Sequence, residues 1–164
     1  MTLMVPICII GMVLSVAPAR AANFNAERDF VTRASIGNLF AIAESQLALD
    51  RTNDPRVTNF ARWLVEDHGR AEEALQAAAD GSGAKVPAVL DQDHQARMMA
   101  LRSKSGADFN KVYVADQYEM HSNALTLYAD YMLLGNNEKL RALAIKMIPI
   151  TEAQLKGAQA LSGN

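Results

Sequence analysis

Four long stretches of this chain repeat their apolar residues at helical spacing, and turn-forming residues separate them. Asp54-Pro55 places an acidic cap before a proline at the first helical position, a strong start signal. Gly81-Ser82-Gly83 ends the helix that starts there, and Gly135-Asn136 makes the turn between the last two. No run alternates apolar and polar residues as a half-buried strand does. Alanine, leucine and methionine are abundant while Gly and Pro are sparse, which also favours helices.

The first pattern runs from about Ala26 to Arg51, capped by Asn25, with a stripe of Phe30, Ala34, Gly37, Ala41, Ser45 and Ala48. These small residues suit close approach of a neighbouring helix. The second buries Val57, Phe60, Ala61, Leu64, His68, Ala71 and Leu75. A linker from Ala84 to Leu90 contains Pro87, and Asp91 starts a short helix that ends near Ser105-Gly106. The third long helix spans about Asp108 to Leu134, with an inward stripe of Tyr113, Gln117, Met120, His121, Ala124, Tyr128 and Tyr131. The fourth spans about Asn137 to Leu161 and buries Leu140, Leu143, Ala144, Met147, Gln154, Leu155 and Ala158; a kink is expected at Pro149. The pattern predicts an all-α four-helix bundle whose second and third long helices are joined by a crossover carrying the short helix.

Residues 1–21 read as a signal peptide. Val5 to Val16 is almost wholly apolar, too short for a comfortable bilayer span, and leads into Pro18-Ala19-Arg20-Ala21. Cleavage near Ala21 predicts a periplasmic protein, residues 22–164 forming one domain with no stable membrane span; an uncleaved anchor is the alternative. The usual basic residues ahead of the apolar run are missing. The lone Cys8 lies in this leader, so the mature part has no disulfide, thiol nucleophile or cysteine ligand. Loss of Arg20 leaves fifteen basic against eighteen acidic residues, and no basic run attracts nucleic acid.

His68 and His121 stand out. Each falls mid-helix on a core-facing stripe, and a buried imidazole costs about 1–3 kcal/mol unless a partner replaces its hydrogen bonds to water. That partner is a metal ion, or a side chain or water of an internal polar network. Gln117 lies one turn from His121 and projects beside it. Asp67, Tyr113, Gln117 and Gln154 are the candidate second shell or network. Asp91-Gln92-Asp93-His94 opens the short helix and is read as capping, and the scattered methionines are read as core filling. Glu66, Glu72 and Glu73 are read as a solvated face beside Arg62 and Arg70. No nucleophile elbow, phosphate-binding glycine loop or zinc-protease pair is present, so no catalytic residue is assigned.

Between Asn25 and Leu161 the chain resembles an exported bacterial domain of unknown function grouped with the ferritin-like folds, whose members are often labelled envelope or outer-membrane proteins. The resemblance rests on the order and spacing of Asp29-Phe30, Leu47-Ala48-Leu49, Val57-x-x-Phe60-Ala61, Asp67-His68, Leu75, Val86-Pro87, Phe109-x-x-x-Tyr113, Gln117, His121, Ala124-Leu125-x-Leu127, Tyr131 and Pro149. It implies helices around a central polar spot, to which relatives often add a glutamate at the position of Ala41 and a histidine at that of Gln154. Ala41 offers no ligand and Gln154 only an amide, so a tight di-iron or di-manganese site is not expected. The leading expectation is a non-catalytic envelope or stress-associated protein, acting with an unknown envelope partner. Its His68, Gln117, His121 and Gln154 would form an internal polar cluster, and no cofactor is expected. The alternative is a mononuclear transition-metal protein with His68 and His121 as ligands, helped by Asp67, Glu44 or water.

Overall fold

The computed structural model describes residues 17–163, with side chains from residue 25 onward. The described residues form five helices: α1 (Ala17–Arg51), α2 (Pro55–Ala79), α3 (Gln92–Arg102), α4 (Gly106–Leu134) and α5 (Glu138–Ser162). No strand occurs among the described residues. The signal-peptide reading of residues 1–21 lies outside the described residues, save for the backbone of 17–21, which belongs to α1. No helix among the described residues is long and apolar enough to cross a membrane.

Local chemistry sets most boundaries. The Asp54 side chain accepts from the Arg56 amide ahead of Pro55, and Asn137 accepts from the amides of Lys139 and Leu140. Asp91 caps α3 through the His94 amide. Asn25 is not a cap. It lies within α1, and its side-chain oxygen accepts from Arg28 one turn on. α5 remains a single helix through Pro149.

Each long helix packs on two others: α1 on α2 and α4, and α5 on α2 and α4; the short α3 rests on α1 and α4. Two apolar clusters fill the interior. One gathers Phe40, Leu64, Leu101, Phe109, Tyr113 and Ala158, the other Phe30, Leu75, Tyr128, Tyr131, Leu140 and Met147. Along every long helix the changeover from one cluster to the other falls at buried polar residues: Ser35 and Asn38 on α1, His68 on α2, His121 on α4, Thr151 and Gln154 on α5.

Candidate metal centre

His68 and His121 face each other across α2 and α4, with Nε2 to Nε2 at 3.1 Å and ring centroids 5.3 Å apart. His68 is 6% exposed and His121 fully buried. The outer nitrogen of each ring meets an oxygen. His121 Nδ1 lies 2.6 Å from the Gln117 carbonyl, one turn back on its own helix. His68 Nδ1 lies 3.0 Å from Asn38 Oδ1 on α1.

Asn38 is itself fixed. Its Nδ2 donates to Glu72 Oε2 at 3.0 Å, and Glu72 Oε1 accepts from Ser35 at 2.9 Å and from Gln76 at 3.4 Å. Turning the Asn38 amide over would set its oxygen against a carboxylate oxygen, so the amide stays with Oδ1 toward His68. Glu72 is therefore not part of a solvated face. It is 8% exposed because α1 supplies donors to its carboxylate.

Counting hydrogens around the pair leads to a specific chemistry. A backbone carbonyl only accepts, so His121 must carry its hydrogen on Nδ1; Asn38 Oδ1 makes the same demand of His68. A contact between the two Nε2 atoms needs a third hydrogen. Two neutral imidazoles carry only two, so both Nε2 atoms present lone pairs to each other. Protonation is disfavoured. Burial first, and the neighbouring His121 second, push the His68 pKa down to about 3. Burial pushes His121 down to about 4, against the opposing pull of the Gln117 carbonyl. Metal-ligating histidines show this same pattern, the outer N–H donating to a carbonyl or carboxylate while the inner nitrogen binds. His68 and His121 are the residues that would hold an ion here, each through Nε2.

The other sequence-derived candidates lie around this centre without forming one network. The Gln117 side chain donates to Glu44 Oε2 at 2.8 Å, so only its backbone serves His121. Tyr113 bonds Ser45 at 2.9 Å. Gln154 reaches Asp67 Oδ2 at 3.4 Å, and Asp67 also pairs with Arg70. Asp67 and Glu44 thus point to partners of their own. Ala41, the first-helix position drawn from the resemblance, lies in the apolar core. The residue from α1 that reaches the histidines is Asn38, one turn earlier, and sequence reasoning missed it.

A cavity of about 380 Å³ opens beside the pair, with Asn38, His68, Met120, His121, Thr151 and, from α3, His94 and Arg97 on its wall. Arg97 is held by Asp116 at 2.7 Å and lies over the Phe40 ring. Among the described residues no group of three or more His, Cys, Asp and Glu side chains could hold one ion. The remaining positions on an ion at this pair would fall to water.

The model of the family described as Domain of unknown function (DUF4142) matches residues 13–161. The chain belongs to that family. The solved structure of CopM in the Cu(II)-bound form resembles this DUF4142 chain in fold, with a TM-score of 0.69 and 17% identity over 83% of this chain and 95% of that one. At that identity the likeness speaks for the fold alone. No curated protein sequence matches the chain.

Proposed function

We propose that this DUF4142 protein is a non-catalytic, periplasmic protein with a ferritin-like four-helix bundle, holding one transition-metal ion between His68 and His121. The hydrogen count carries the reading: both outer nitrogens are committed to oxygen acceptors, which leaves two inward lone pairs 3.1 Å apart. A cation between them resolves the contact, and low pKa values exclude the proton from that role at neutral pH. Imidazole nitrogen suits copper, zinc, nickel and iron. The copper bound by a fold neighbour makes Cu(II) the first ion to try.

A second reading has its own support. No third ionisable ligand converges on the pair among the described residues. In that case the pair is a purely structural element of the polar layer. Protein purified without a histidine tag separates the two. A metal site gives about one equivalent of Cu(II) by elemental analysis and a rise in melting temperature that His121→Ala abolishes. Stabilisation at a hundredfold excess over Kd would be about 2.7 kcal/mol. If no metal binds and no shift is seen, the structural reading stands.

A further inference from the structure

His94 was read from the sequence as part of a helix cap, and it does serve there: its amide donates to Asp91. Its ring does something more. All three histidines of the described chain line the same cavity, His68 and His121 on its inner wall and His94 on α3. They differ in access to water: the His94 side chain is 25% exposed, whereas His68 and His121 are buried. His94 Nδ1 lies 2.6 Å from Asp91 Oδ1, which leaves Nε2 as its free nitrogen. The His94 and Phe40 rings pack at 74° to each other with centroids 4.8 Å apart, which holds the imidazole plane. This carboxylate–histidine pairing is the arrangement that orients a ligating imidazole.

Resting on the metal-binding reading above, we propose that His94, oriented by Asp91, is an outer station that captures a copper ion from solvent and passes it to His68 and His121. His94 does not join the buried pair as a third ligand, since no three such side chains converge on one point among the described residues. The cavity is instead the path between two separate positions. Its arginines do not make it an anion site: Arg33 pairs with Asp29, and Arg97 with Asp116 and Glu119. The transfer is an exchange of ligands on one ion, with no change in its oxidation state.

The test is stopped-flow mixing of the full, tag-free protein with Cu(II), followed by quenching of the lone tryptophan, Trp63. Wild-type protein should load in two phases. His94→Gln should lose the fast phase and slow loading by about tenfold or more, while still reaching one equivalent and the full rise in melting temperature. His121→Ala should keep the fast phase and lose the tight site. Loading of His94→Gln at the wild-type rate overturns the outer station and leaves the buried pair standing. A wild-type protein that takes up no Cu(II) overturns both.

Discussion

Asn38 joins two buried groups that would otherwise lack partners, the His68 imidazole and the Glu72 carboxylate. Asn38→Ala removes an acceptor from one and a donor from the other in a single step. Since each orphaned buried group costs about 1–3 kcal/mol, the variant should lose about 2–4 kcal/mol of stability. The midpoint of urea unfolding measures it, and a loss below about 0.5 kcal/mol, the range of ordinary surface changes, would contradict the role assigned to Asn38. The inward direction of His68 and His121 was legible, because apolar residues three and four positions away place both on core stripes. Asn38 was not legible. The stripe drawn through Gly37 and Ala41 passes beside it, and an asparagine on one helix gives no sign that a histidine awaits it on another. Glu72 shows the same limit. Between Ala71 and Glu73 it looks like one more surface acid, and only the Ser35 and Asn38 donors of α1 make its burial tolerable.

At the scale of helices, capping and turn chemistry read well. The starts of α2 and α3 follow from Asp54-Pro55 and Asp91. The start of α1 did not, because Asn25 makes an acceptable cap in isolation while the helix continues on its N-terminal side. Helix packing separates two glycines that look alike in sequence. A Cβ at Gly157 on α5 would lie 2.7 Å from the Phe60 ring and 3.2 Å from Trp63, so α2 and α5 meet closely there. A Cβ at Gly69 on α2 meets nothing within 4 Å. Gly69→Ala should therefore stabilise the protein by about 0.5–1 kcal/mol through helix propensity alone. Gly157→Ala gains the same propensity but forces the buried Phe60 ring to move. With overpacking costing about 1–3 kcal/mol, it should come out destabilising. Thermal unfolding of the two variants side by side checks the opposite signs.

For the whole molecule, the metal-free protein carries two opposed acid–base terms in its interior, and together they shape its stability against pH. The folded histidines hold pKa values of about 3 and 4, below the ordinary 6.5. The unfolded chain therefore binds more protons below pH 6.5, and their contribution is full above that value and lost as pH falls toward 4. Glu44 works the other way. Burial first, then the Asp116 charge, raise its pKa from 4.5 to about 9. The folded protein keeps that carboxyl neutral, so its contribution is full below pH 4.5 and lost as pH rises toward 9. Between 4.5 and 6.5 the two histidine protons taken up on unfolding outweigh the single one released by Glu44, and stability climbs with pH. Above 6.5 only Glu44 acts, and stability falls by at most about 1.4 kcal/mol per pH unit. A maximum near neutrality follows. Glu44→Gln preserves an oxygen to accept from Gln117 and removes the ionisation, so it should flatten the alkaline limb and leave the acid limb in place. Melting temperatures of both proteins from pH 5 to 9, taken in the presence of a chelator, measure the difference. Equal alkaline limbs would mean that Glu44 is already ionised in the folded protein.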